Sequence, residues 1–408
     1  MDATVFSDEL KACFKAAPGF RSVLFTLTFH DASRVHVDPC LRPRSVSGRP
    51  AGALAGIAMI LILAAPAGAA SQRPGMVGSL EVPRPAAPMR DVVLGEPGAA
   101  AARISASASS RRYPIGDGSD PTIAVSVTQA CAEQCQVTDP QRIASFIGTL
   151  IHGDEVDLLT VQLDTEFELG FDCGFGAEAC YFSGENKIVI GGYEEVDGDG
   201  ATLDFVLAHE YGHHVAQHRE MPAPFSDAID WGTERWASLE NVCQGKRHGR
   251  LYPGDEGTHY FEDPGEAFAE AFAHYRFPEM SIRWRYASTL KPTAASLAAV
   301  REDTLNPWQG RKSFTLSGHV PARGEGAAVE SLRTPLDGTV SLRPSSLHGS
   351  GYELALRSRA GRLLRSSRHG LDPSHQLDYT VCGQHHLSLQ IRSTRAHGGP
   401  FRLQIQRP

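Results

Sequence analysis

Apolar residues along the chain follow two different periods. Between residues 121 and 308 they recur mainly at helical spacing, with a few short strands between. Asp139-Pro140 marks a helix start, and Ile143, Phe146, Ile147, Leu150 and Ile151 supply its apolar face. Residues 158–163 read as a strand, and residues 179–183 and 187–191 as a hairpin around Gly184-Glu185-Asn186. Leu203, Phe205, Val206, Leu207 and Ala208 then load a helix that starts after a Gly-rich stretch. Residues 227–244 predict one helix, with Trp231 and Trp236 as core anchors. Asp263-Pro264 opens another, and residues 293–303 predict a last one. From Arg311 onward the period drops to two. Residues 314–316, 338–342, 352–356, 377–381, 386–391 and 401–405 are candidate strands separated by Gly, Ser, Pro and Asp turns, the pattern of a small antiparallel β-sandwich.

The pattern divides the chain. Residues 1–45 carry no clear signal. Arg42, Arg44 and Arg49 precede an apolar run over residues 51–65, and Ala67-Gly68-Ala69 follows. Basic, apolar, then small is the order of an export signal, so residues 46–70 predict a signal peptide, with a signal-anchor as the alternative. Residues 71–120, rich in Ala, Pro, Gly, Ser and Arg, read as a linker or pro-segment. Residues 121–308 and 311–408 read as two folded domains.

Charge supports that division. Over residues 121–290 there are 29 acidic and 10 basic residues, a balance of −19; over residues 311–408 there are 6 and 14, a balance of +8. The first segment is too acidic for a nucleic-acid role. The second owes its charge almost wholly to arginines, which suits attachment to a surface or an anionic polymer. Six cysteines follow the apolar run, an even number that predicts disulfides in an exported protein. Cys173 with Cys180, Cys131 with Cys135, and Cys243 with Cys382 are the suggested pairs; a Cys-ligated metal is the rival reading, although no C-x-x-C occurs.

The chemistry centres on His209-Glu210-Tyr211-Gly212-His213. Two histidines four apart stack on one helix face and can hold a zinc ion, and the intervening Glu210 can reach its water. A zinc site that works on peptides needs a third protein ligand. A third His in the extended H-E-x-x-H-x-x-G-x-x-H pattern is excluded, because Ala216 and Arg219 stand at those positions. His214 and His218 read as solvent-facing. The remaining source is an acid on a later helix: Glu262, Asp263, Glu266 or Glu270. Asp263 suits a helix cap and Glu262 falls outside the helix, whereas Glu266 and Glu270 share one face. Glu194-Glu195-Val196-Asp197-Gly198-Asp199 is a weak calcium candidate, read more simply as an acidic turn. The strand just before the metal helix is where an extended substrate backbone would pair.

HEYGHH followed by PGEAFAEAF resembles the Glu-zincin metallopeptidases, and E-x-F-A-E-x-F is similar to the catalytic core of anthrax lethal factor-type peptidases. The last hundred residues are similar to the pre-peptidase C-terminal type of β-sandwich. The resemblance implies an α+β zincin-like catalytic domain, with an active-site helix, a small sheet and C-terminal helices, followed by an all-β antiparallel sandwich. It implies Zn²⁺ held by His209, His213 and Glu266, with Glu270 supporting a ligand His. It also implies Glu210 as general base and Tyr260 as oxyanion donor, with His259 as a rival for that role. The expected protein is a secreted zinc endopeptidase acting on protein or peptide substrates. A non-catalytic secreted zinc-binding module using the same fold for attachment is the alternative.

Overall fold

The computed structural model describes residues 10–13, 24–29, 35–39, 90–94, 110–116, 121–195, 201–347, 351–367, 376–394 and 396–408. The segment expected to direct export, residues 46–70, lies outside them, as do residues 196–199 of the acidic turn. The chain divides into two compact units, Met1–Glu81 and Val82–Pro408. In the first, β1 (Leu10–Cys13), β2 (Leu24–Phe29) and β3 (Val35–Pro39) form an antiparallel sheet in that order, within a stretch that showed no pattern.

The second unit begins with an α+β part built on a mixed six-stranded sheet. Its strands are β4 (Arg90–Leu94), β5 (Arg111–Pro114), β6 (Thr122–Val127), β7 (Thr160–Asp164), β8 (Ala177–Phe182) and β9 (Lys187–Gly191), ordered β4-β8-β9-β7-β6-β5. The expected hairpin is β8 and β9, paired antiparallel. Two features depart from expectation. Strands β4 and β5 fall inside the stretch read as a linker, because strands of four or five residues leave little periodicity among Ala, Pro and Gly and are defined by their partners. The strand before the histidine helix, β9, expected to offer an edge to a substrate, lies between β8 and β7 and has no free edge. The outer edge of β8 pairs with β4.

Around the sheet lie α1 (Gln129–Gln134), α2 (Pro140–Ile147), α3 (Glu166–Asp172) and α4 (Leu203–Gln217). Asp139 caps α2 through the Gln141 N–H, and Thr202 caps α4 through the Phe205 N–H, leaving fewer orphan donors at each start. The single helix expected over residues 227–244 is three: α5 (Ala228–Trp231), α6 (Glu234–Leu239) and α7 (Val242–Arg247). Gly232 at φ 74° and Asn241 at φ 56° break it, since neither conformation continues a right-handed helix. Trp236 is fully buried against Phe268. Then come α8 (Pro264–Arg276) and α9 (Ala294–Leu305).

Helix α4 has no solvated side: every residue from Phe205 to Ala216 is buried. It packs on β8 and β9 and on α8. His214 is therefore not solvent-facing, as its spacing had suggested. Its Nε2 lies 2.9 Å from the Glu155 carbonyl and its Nδ1 2.9 Å from the Tyr181 hydroxyl. A carbonyl only accepts, so Nε2 carries the proton and Nδ1 accepts from tyrosine. Burial pulls this ring to about 4, well below its ordinary value. His218, half-buried, meets Asn186 at 2.8 Å.

The β-rich part follows. Two four-stranded antiparallel sheets, β10 (Lys312–Val320)-β17 (Gly399–Arg407)-β12 (Gly338–Leu347)-β15 (Leu377–Val381) and β11 (Ala328–Arg333)-β16 (His386–Ser393)-β13 (Tyr352–Ser358)-β14 (Leu363–Ser367), enclose their own core of Val340, Leu342, Leu354, Leu356, Leu389, Leu403 and others. Six of the eight strands contain the segments read from alternation. Strands β11 and β14, with few buried residues, gave no such pattern. Three disulfides, Cys131–Cys135, Cys173–Cys180 and Cys243–Cys382, match the suggested pairs. The last ties α7 to β15's end, beside hydrogen bonds from Asp337 N to Ser238 Oγ (2.9 Å) and Thr339 N to the Ala223 carbonyl (2.7 Å). Among the described residues no helix is long and apolar enough to cross a membrane.

Two predictions follow from the packing. A Cβ at Gly212 would sit 2.8 Å from Ala269 Cα and 3.0 Å from Phe272 Cβ, so Gly212→Ala must push α4 and α8 apart. It should cost roughly 1–3 kcal/mol despite the better helix propensity of Ala, read as a lower thermal midpoint. The buried Glu234 carboxyl is raised above its ordinary value, first by burial and then by nearby Asp303. The folded chain thus keeps this proton where the unfolded chain has released it, and stability is lost as pH rises above the ordinary 4.5. Glu234→Gln, which needs no proton to stay neutral, should raise the urea midpoint at pH 8 and change it little at pH 4.

Candidate metal centre

Helix α4 supplies His209 and His213 one turn apart, and α8 lays Glu266 across them. Asp263 caps α8 through the Gly265 N–H at 2.7 Å, and Pro264 takes the first helical position, where its missing N–H costs nothing. This start fixes Glu266 in the first turn and Glu270 one turn on. Both are buried, at 1 % and 2 % exposure, as are His209 (0 %), Glu210 (0 %) and His213 (1 %).

His209 Nε2 lies 3.6 Å from one Glu266 oxygen and His213 Nε2 3.5 Å from the other. These separations are long for charged hydrogen bonds. They suit atoms bound to one ion: ligands about 2.0–2.1 Å from a tetrahedral zinc are roughly 3.4 Å apart. Neither Glu266 oxygen has a hydrogen-bond partner among the described residues, although both are buried. A buried carboxylate whose oxygens lack partners is costly unless something sits beside it. The ligand atoms of these three residues all lie within 4.8 Å of one another. Two neutral imidazoles and a carboxylate suit zinc.

The electrostatics agree with that use. Burial holds His213 below its ordinary value, so its ring is neutral at neutral pH, as a ligand must be. Burial opposes charge on Glu266, but the facing His213 and His209 rings outweigh it and pull the carboxyl to about 2. Glu270 Oε2 lies 3.1 Å from His209 Nδ1. That contact places the proton on Nδ1 and aims Nε2 at the cluster. The other Glu270 oxygen meets His274 at 3.5 Å, a supporting residue that sequence reasoning missed; its i, i+4 spacing from Glu270 was the available signal.

Tyr260 lies on the short turn, Tyr260–Glu262, that precedes α8. Its hydroxyl lies 3.2 Å from that of Tyr286, and both tyrosines line a small cavity that also reaches Glu270. Tyr286 sits 26 residues downstream and had no sequence signal. The rival, His259, points elsewhere: its ring stacks on Tyr252, and its Nδ1 meets Asp255 at 2.6 Å. Glu262 ends a short turn outside α8, as expected. Glu194, from the calcium candidate, pairs with Arg142 at 3.1 Å. The second grouping of potential ligands, Cys243, Asp337 and Cys382, has both sulfurs in a disulfide and offers no thiolate.

No family model matches the chain, and no curated protein matches it. Among solved structures it is similar to a Yersinia pseudotuberculosis-derived mitogen, at 14 % identity over 24 % of this chain and 86 % of that one, with a TM-score of 0.18. It is also similar to Bacillus endospore appendage pili, at 11 % identity over 24 % of this chain and 85 % of that one, with a TM-score of 0.14. A structure of infectious bursal disease virus Gx strain matches at 11 % identity over 25 % of this chain and 32 % of that one, with a TM-score of 0.13. Likeness this slight carries no argument about function.

The ligand geometry makes a direct prediction. Glu266→Ala should remove most bound zinc, whereas Glu270→Ala should weaken affinity by roughly 10–100-fold through loss of ring orientation. Zinc content after dialysis against a chelator series checks both; the reverse order would exchange the two roles.

Proposed function

We propose that the chain is a secreted zinc-dependent endopeptidase with the Glu-zincin arrangement, its α+β part zincin-like in fold. The observation that carries this reading is the convergence of His209, His213 and Glu266 on one buried point, with Glu210 beside the first histidine on the same helix. A zinc ion held there would acidify a water and polarise a scissile carbonyl. Glu210, the general base, takes the proton of the attacking water and passes it to the leaving amine. The Tyr260 hydroxyl donates to the oxygen that gains charge. Glu270 keeps His209 in the tautomer a ligand needs. Export is supported by the three disulfides and by the basic–apolar–small order ahead of residue 70.

The β-rich part serves attachment in this reading. Register places Arg333, Arg357 and Arg392 on the outward-alternating positions of β11, β13 and β16, with one acid, Glu353, opposite Arg392, an outer face of net positive charge suited to an anionic polymer. The alternative, a zinc-binding attachment module without catalysis, shares every feature except the use of Glu210.

Glu210→Gln separates the two. It deletes the base and no ligand, so zinc content should stay at the wild-type level while casein hydrolysis falls at least ~100-fold. Wild-type hydrolysis that survives zinc removal, or that persists in the variant, would refute the mechanism. Absence of hydrolysis by zinc-loaded wild-type protein would favour the attachment module.

A further inference from the structure

Residues 277–287, which follow α8, form neither helix nor strand. They nevertheless have a fixed course. Helix α8 is about 20 Å long at 1.5 Å per residue. The segment leaves its C-terminal end and returns to the turn ahead of its start. There Ala287 N donates to the Phe261 carbonyl at 2.7 Å, and the Tyr286 hydroxyl lies 3.2 Å from that of Tyr260. It is thus a strap along the side of α8. Ile282 and Trp284 pack against the main core, and Tyr286 is buried. The Trp284 ring lies 5.4 Å from that of Tyr286, and its Nε1 donates to the Ala287 carbonyl at 3.2 Å, which closes the strap on itself.

The strap faces the support of the metal cluster: Ile282, Tyr286 and Glu270 wall one small cavity. Glu270 is held at both oxygens. Its Oε2 lies 3.1 Å from His209 Nδ1, and its Oε1 lies 3.5 Å from His274 Nε2. The last torsion of a Glu side chain is soft, so a carboxylate held at one oxygen swings, and one held at both does not. The His274 contact is long for a hydrogen bond and holds its direction only while the imidazole stays in place. Two rings confine that imidazole. Phe205 of α4 meets it edge-on at 5.6 Å, and Trp284 of the strap lies at 6.2 Å. The Trp284 wall is the one that neither α4 nor α8 supplies.

We propose that His274 and Trp284 are positioning residues of the metal centre. The strap holds His274 on Glu270, and Glu270 in turn keeps His209 Nε2 turned toward the other ligands. This rests on the zinc-binding half of the function proposed above and not on hydrolysis.

The test is the zinc affinity of the full chain, read by competition with a chromophoric chelator. His274→Leu should weaken zinc by roughly fivefold or more and Trp284→Leu by roughly threefold or more, each less than Glu270→Ala. His274→Gln, whose amide N–H can still donate to Glu270, should restore affinity to within about twofold of wild type. In a chain carrying Glu270→Ala, neither Leu substitution should weaken zinc further, and Trp284→Leu should add nothing to His274→Leu. A general loosening of the fold would add in every background. Wild-type affinity in His274→Leu, no recovery with Gln, or losses that add overturns the proposal. Trp284→Leu changes neither helix and carries the test alone, with Glu270→Ala as its background, should His274→Leu not fold. A wild-type chain that binds no zinc overturns the proposal together with the metal reading. A chain that binds zinc in this pattern yet leaves casein uncut supports it and refutes only the endopeptidase.

Discussion

The close crossing of α4 and α8 at Gly212 is the contact on which the candidate site depends. Only a residue without a side chain lets Ala269 and Phe272 come this near. That approach brings Glu266 of one helix within reach of two histidines on the other. The crossing is dry and aromatic: Tyr211, Phe205, Phe268 and Phe272 are all fully buried around it. Placing five ionisable side chains in such a setting is expensive. A cation held there, as proposed, would offset that cost, with Glu270 behind His209.

The far side of α4 is anchored just as firmly. Glu155, itself buried, accepts from Tyr211 and pairs with Arg219 at 3.0 Å, and Arg219 also donates to the Asp303 and Thr304 carbonyls at the end of α9. Arg219 holds the Glu155 carboxyl below its ordinary value against the pull of burial. The histidine helix α4 is thus clamped on both sides, which removes the freedom that would blur the geometry of the candidate site. The β-rich part joins this frame through the α5–α7 segment, which lies in sequence between the histidine helix and the Glu266 helix.

Sequence alone located the histidine pair, the acids on α8, both caps at Asp-Pro steps, the β8–β9 hairpin and six strands of the β-rich part. These share a physical basis: each is a short-range pattern, a helical turn, a capping side chain or an alternation, written in neighbouring residues. The disulfide pairs were suggested by count and spacing, but their pairing became fixed only when the fold brought the sulfurs together. What the tertiary structure decided is long-range. His214 looked solvent-facing because spacing says which residues share a face, not whether that face is covered; here sheet and helix cover α4 on all sides. The edge expected for a substrate was assigned to β9, yet strand order put β9 inside and gave the β8 edge to a strand from the supposed linker. Strand order and helix crossings arise from residues tens of positions apart. No local pattern encodes them, so they are settled only when the whole core packs.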